Sequence, residues 1–155
     1  MDQQNLETIK KITKEFFEKM NFNVEIKSLR QKDLTLSLEL QTDEPQILIG
    51  EGGQTLTEIQ HLLKIILRKK INIAAEPFFI DLDINNYKEK KIEYLKELAR
   101  SVADEVSLSK NEKNLASMPA YERRIIHLEL AERQDVITES IGQGMERRIL
   151  IKPRL

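Results

Sequence analysis

The chain has no cysteine. Disulfides, thiolate zinc sites, iron–sulfur ligation and a cysteine nucleophile are therefore excluded, and a reducing cytoplasm suits such a chain. Long apolar runs are missing too. No stretch approaches the ~18 residues that a membrane-spanning helix needs, so no membrane association is expected. Met1-Asp2-Gln3-Gln4-Asn5 has no basic segment leading into an apolar core, and no signal peptide is read there. Repeats, low-complexity stretches and long linkers are absent. His61 and His127 are the only histidines, which leaves no zinc site. There is no Gly-x-Ser-x-Gly elbow, and nothing assembles a nucleophile, a base and an orienting group. Asp81 and Asp83 share a strand face, but a solvated face is the preferred reading, as it is for His61. The chain reads as a non-enzyme without a cofactor.

What is present fits one medium domain or two small ones in 155 residues. The net charge of −1 is a weak argument against a nucleic-acid binder, but the charge is unevenly spread. Residues 1–84 carry 11 Lys/Arg and 14 Asp/Glu, and residues 85–155 carry 14 and 12. Only the second part is cationic. Any affinity for nucleic acid should be modest and salt-sensitive.

Apolar spacing predicts a first helix over about Leu6–Met20, with Leu6, Ile9, Ile12 or Thr13, Phe16 and Met20 inward. Val24, Ile26 and Ser28 begin a strand, and Leu34, Leu36, Leu38 and Leu40 alternate in a second. Gln31-Lys32-Asp33 reads as the hairpin turn between them. Thr42 or Asp43 is expected to cap a short helix opening at Pro45 and ending at Gly50. A further helix buries Leu56, Ile59, Leu62, Leu63, Ile66 and Leu67. Phe78, Ile80, Leu82 and Ile84 form a third strand. Asn86 with Glu89 resembles a capping box. The long helix it opens runs to about Leu108, with Ile92, Leu95, Ala99, Val102 and Val106 inward, and joins two small domains. Asn111–Asn114 reads as a polar loop. A helix opened by Ser117 and Pro119 passes through Tyr121, Ile125 and Leu128 and ends near Arg133. Two strands, Val136–Ile141 and Arg147–Lys152, follow around Gly142-Gln143-Gly144-Met145.

Two constellations carry chemistry. The first is Gly50-Glu51-Gly52-Gly53-Gln54. Glycines at both ends of a tight turn let a backbone approach, and the N–H groups opening the next helix attract anions. The third glycine of a dinucleotide loop is missing, and so is the Lys-Ser/Thr of a P-loop. Helix, Gly-x-x-Gly, helix between strands resembles the core of a KH domain, whose turn clamps about four nucleotides of a single strand. The element order resembles the type II variant. Family members commonly carry a basic pair in the turn, and Glu51-Gly52 departs from that. The bland alternative is a turn that only joins two helices.

The second constellation is Arg123, Arg124 and His127 in Tyr121-Glu122-Arg123-Arg124-Ile125-Ile126-His127. Arg123 and His127, four residues apart, lie about 40° apart on one helical face, expected roughly opposite Tyr121, Ile125 and Leu128. Guanidinium forks onto phosphate or stacks on a base, and imidazole stacks or donates. Alone, the pair is equally a solvated helix face. With Met118-Pro119-Ala120 before it, and Val136–Ser140 and Arg147–Ile151 after it, the stretch resembles the single-stranded nucleic-acid-binding domain named for its Arg-three-residues-His motif. Arg147 and Arg148 alternate on a strand, so one should extend the cationic surface while the other pairs with an acid. Arg68-Lys69-Lys70 suits the negative end of a helix dipole and could also track phosphates.

The ordered pair of motifs resembles the bacterial Jag/KhpB (SpoIIIJ-associated) family over about residues 5–153. The fold implied is α+β: a type II KH domain, residues 1–84, followed by a small α/β Arg-x-x-x-His domain, residues 85–155, joined through a long helix. The resemblance implies a cytoplasmic protein that binds single-stranded RNA, acts as an RNA chaperone or post-transcriptional regulator, and is linked to cell elongation and envelope homeostasis. The implied RNA contacts are Gly50, Glu51, Gly52, Gly53, Gln54, Arg123, Arg124, His127, Arg147 and Arg148. A small single-KH partner or a homodimer is implied as well. The N-terminal Jag domain of longer members is not seen in this sequence. Single-stranded DNA is not separable from RNA here, because 2′-OH contacts leave no sequence mark. A competing expectation is a protein-interaction or dimerisation module whose KH half has lost RNA binding.

Overall fold

The computed structural model of the chain describes residues 3–71 and 78–154. Met1 and Asp2, part of the segment read for a leader, lie outside the described residues. The chain separates into two compact units, Met1–Tyr87 and Lys88–Leu155, each with helices and strands. Among the described residues no helix is long and apolar enough to cross a membrane.

The first unit runs α1 (Gln3–Lys19), β1 (Glu25–Lys32), β2 (Thr35–Gln41), α2 (Pro45–Ile49), α3 (Gln54–Ile71) and β3 (Phe79–Ile84). Its sheet is ordered β1-β2-β3, with β1 antiparallel and β3 parallel to the central β2. A parallel return needs a crossover, which α2 and α3 supply. Leu36, Leu38 and Leu40 stand beside Ile80, Leu82 and Ile84 in register, and all six are buried. Period-2 alternation thus gives both strands one apolar face. Ile9 and Phe17 of α1, Leu48 of α2, and Leu56, Leu63 and Leu67 of α3 complete that core. Each fully buried Leu, Ile or Phe contributes about 1.5–3 kcal/mol.

Several expectations shift by a residue or a face. β1 continues to Lys32, and the turn falls on Asp33 and Leu34, with Asp33 at φ 52°. A bulge between Ile26 and Ser28 changes the phase of β1, so Leu29 packs on the core. In α1, Phe17 takes the buried centre with Phe16 edge-on at 5.1 Å, and Met20 is left at the surface. Leu62 of α3 is about half exposed. Neither Thr42 nor Asp43 caps α2; Glu44 holds that position without a side-chain bond. The Thr42 hydroxyl is used elsewhere. It donates to the Asn23 carbonyl at 3.0 Å and accepts from the Glu44 N–H at 3.3 Å. Asn85 meanwhile brackets the Thr42 main chain with two 2.9 Å bonds.

The second unit contains most of α4 (Tyr87–Ser109), then β4 (Lys113–Asn114), α5 (Ala120–Leu130), β5 (Val136–Ile141) and β6 (Arg148–Pro153). Its sheet is antiparallel and ordered β4-β6-β5. Leu95, Ala99, Ala103 and Val106 of α4 meet Leu115, Ile126, Leu130, Val136, Ile149 and Ile151. Ala103 therefore replaces the expected Val102 at the centre of the stripe, and Ile92 lies at the surface. Asn86 has φ 55°, which is not the extended conformation of a capping residue. Asn111–Asn114 is not all loop, since Lys113 and Asn114 pair with Ile151 and Leu150. Two polar residues at a sheet edge carry no hydrophobic period, so this strand had no signal.

Helix α5 differs most from its sequence reading. It ends at Leu130, and its buried stripe is Glu122, Ile126 and Leu130. Ile125 is half-buried, while Tyr121 and Leu128 are more than half exposed. Just beyond the helix, Arg133 bonds Asp135 and Asp104. That fork holds the Asp135 carboxyl well below the usual carboxylate range.

Candidate nucleic-acid interface

In the first unit, the glycine turn is built by close contacts. Gly50 has φ 72°, and a Cβ there would come within 2.1 Å of Thr55 Oγ1. Gly53 has φ 81°, and a Cβ would stand 3.0 Å from the Tyr87 ring. Both positions therefore require glycine. Glu51 and Gly52 form the exposed tip, and Gln54 opens α3 at the surface. The turn uses much of its own hydrogen-bonding capacity. The Gly50 N–H donates to the Gln46 carbonyl at 2.9 Å, and the Gly53 N–H to the Gly50 carbonyl at 3.3 Å. The Gln54 N–H donates to the Glu51 carbonyl, and the Gln54 side-chain amide donates to Glu58 at 3.3 Å. The expected set of outward donors is thus partly closed. Close approach of a backbone remains open to this turn; strong anion capture by Gly53 and Gln54 does not. Arg68, Lys69 and Lys70 are exposed in the last turn of α3.

In the second unit, α5 and β5 build an open hollow. Ala120, Tyr121, Arg123, Arg124, His127 and Leu128 line it from α5, and Ser140 from β5. Thr138 and Ser140 share the strand face that carries Val136, the face turned to the core. Both hold side chains at the hollow. The Thr138 hydroxyl lies 2.7 Å from His127 Nδ1, and the Ser140 hydroxyl accepts from Arg147 Nε at 3.1 Å. Arg123 Nη1 donates to the Met118 carbonyl at 2.7 Å, fixing one arm of its fork. The lead-in Met118-Pro119-Ala120 thus has a local purpose: it starts the helix and anchors the guanidinium. Burial, followed by the Arg123 charge, lowers the His127 pKa below its ordinary 6.5. The imidazole is therefore mostly neutral at pH 7, and an arriving anion would favour its charged form.

Of the residues expected to touch RNA, Gly50, Glu51, Gly52, Gly53 and Gln54 form the turn. Arg123, Arg124, His127 and Arg147 gather at or beside the hollow. Arg148 does not join them. It stands opposite Ile141, on the sheet face turned away from Thr138 and Ser140. The acid partner expected for one of the two arginines is not found: Arg148 Nε is buried without a hydrogen bond among the described residues. Sequence reasoning missed Tyr121, Leu128, Thr138 and Ser140. The alternation of Thr138 and Ser140 in Val-Ile-Thr-Glu-Ser was the signal available for the last two.

A family model for the domain named after its Arg-three-residues-His motif matches residues 93–153, the stretch that builds this hollow. The RNA-binding protein KhpB of Clostridium symbiosum is 34% identical over 136 residues, covering 87% of this chain and 60% of that protein. The chain belongs to the Jag/KhpB family. The KhpB of Lactiplantibacillus plantarum is 32% identical over 118 residues, covering 76% of this chain and 36% of that protein. For the Bacillus subtilis KhpB the identity is 29% over 126 residues, covering 80% and 59%. This Jag/KhpB chain therefore spans 60% or less of the length of these relatives.

Proposed function

We propose that this chain binds single-stranded RNA, with the α5–β5 hollow as its principal contact. The observation that carries the proposal is the convergence of Arg123, Arg124, His127 and Arg147 on one open surface. Guanidinium forks suit phosphate oxygens, and the Met118 and Ser140 anchors reduce the side-chain entropy lost on binding. The relatives named as RNA-binding proteins support RNA over DNA.

In this reading residues 1–84 are a type II KH domain and residues 85–155 the Arg-x-x-x-His domain. The mixed sheet and the Gly-x-x-Gly link between α2 and α3 support the first assignment. The protein acts in the cytoplasm as an RNA chaperone or post-transcriptional regulator, within cell elongation and envelope homeostasis. Two weak contacts on one chain gain through effective concentration, which would offset an acidic turn.

A second reading has a specific observation behind it. Glu51 sits at the exposed tip of a turn whose N–H groups are partly spent. The first unit would then be a protein-pairing module, taking a single-KH partner or a second copy. Fluorescence anisotropy with a labelled single-stranded RNA, at low and moderate salt, separates the two. The RNA reading expects the full chain to bind and Arg123→Ala/His127→Ala to lose binding. No binding at low salt would reject it in favour of the pairing module.

A further inference from the structure

We infer that Tyr121 is a preset platform on which one unpaired base stacks, making the hollow a reader of bases as well as phosphates. The inference rests on the RNA-binding reading of that hollow and deepens it. Tyr121 is 57% exposed on the outward side of α5, beside Leu128 at 63%. An exposed ring on a helix ordinarily swings between rotamers. This one is tied down: its hydroxyl donates to Glu122 Oε1 at 3.0 Å. Glu122 is only 4% exposed, and Lys91 lies 3.8 Å from the same carboxylate oxygen. A buried, paired carboxylate is costly to keep unless it is well bonded. Here it fixes the hydroxyl end of an aromatic side chain whose body stays in solvent.

The surroundings suit a nucleotide. Arg123, Arg124 and His127 line the same hollow and are placed to meet the phosphate of a nucleotide whose base lies on the ring. A base on a held ring loses little side-chain entropy, and aromatic stacking accepts any base because each has a π-face. Duplex RNA keeps its bases stacked on one another, so a platform of this kind selects single strands. Glu122 never touches the ligand in this scheme; it is a positioning residue for the ring.

The test uses the full chain and two labelled oligonucleotides of equal length, one single-stranded RNA and one with abasic positions throughout. Wild type should prefer the base-bearing strand by about ten-fold or more, the range of base–aromatic stacking. Tyr121→Phe should keep a smaller preference, because its ring can stack but is no longer held by Glu122, and an undiminished preference would show that the ring is not preset. Tyr121→Ala should abolish it while leaving abasic binding unchanged, and Arg123→Ala should weaken both strands together. The chain has no tryptophan, so tyrosine emission can be followed directly; quenching on binding should disappear in Tyr121→Ala. Tyr121→Ala and Tyr121→Phe both take the hydroxyl from the buried Glu122 carboxylate, so both should lower the thermal midpoint by a similar amount, and binding is compared at a temperature where each variant is folded. Equal binding of both strands by wild type would overturn the inference while leaving the RNA reading intact. So would equal weakening of both strands by Tyr121→Ala. Failure to bind either strand would sink the RNA reading, and the inference with it.

Discussion

In the proposed reading the glycine turn and the α5–β5 hollow would both meet a nucleic-acid backbone, yet they are opposite in charge. The turn offers a tight bend with a carboxylate at its tip and donors bonded inward. The hollow offers a less distinctive shape, with the guanidinium groups of Arg123, Arg124 and Arg147 and the titratable His127 around it. A motif of glycines reports where a backbone can come close. Whether a polyanion stays there is decided by charge, and on that criterion the second unit leads.

The largest effect that would sharpen the contrast is structural. Gly50→Ala would place a methyl 2.1 Å from Thr55 Oγ1 at φ 72°. It should destabilise the first unit by about 2–4 kcal/mol. Gly52→Ala meets nothing within 4 Å and bears only the strain of φ 60°, costing about 1–2 kcal/mol. Urea unfolding of the two variants tests this, and equal losses would mean the turn is not held by its Thr55 contact. Next comes Arg123→Ala/His127→Ala, which should weaken RNA binding by about ten-fold or more and lower the salt slope by about one for each phosphate no longer neutralised. A full-strength double variant would move the site away from the hollow.

The pH dependence comes third and has two opposite signs. The folded His127 pKa is below 6.5, so beneath that pH the unfolded chain binds more protons. His127 should therefore subtract stability from the free second unit as pH falls through 6.5. RNA affinity should rise over the same window, because the imidazolium that forms faces a phosphate. Chemical denaturation and anisotropy at pH 7.5 and 5.5, each compared with His127→Ala, should show both trends reduced in the variant. The smallest effect is Glu51→Lys, with a gain of about two- to five-fold at low salt that fades at moderate salt, as expected of one exposed charge. No gain at all would mean that the turn does not face the strand.

Much of the first unit was legible in its sequence because its elements bury one clean face. The alternation of Leu36, Leu38 and Leu40 and of Ile80, Leu82 and Ile84 states both strands outright. Faces were misread where two apolar residues adjoin. Phe16 and Phe17, or Leu62 and Leu63, leave the phase of a helix to packing that the sequence does not display. In α5 a buried Glu122 took a stripe position that hydropathy assigned to Tyr121, and this one exchange turned the outward face of the helix. The Arg123 and His127 pair was readable from spacing, whereas their anchors at Met118 and Thr138 depended on a carbonyl and a strand met only in three dimensions. The separation of Arg147 from Arg148 followed from strand alternation, but which of them joined the hollow did not.

The most direct test of the central claim is a backbone amide NMR titration of the full chain with single-stranded RNA. If the hollow is the principal contact, the largest shifts fall along 118–128, around Thr138 and Ser140, and at Arg147, with smaller changes at 50–54. Shifts confined to the glycine turn, with α5 and β5 silent, would contradict it.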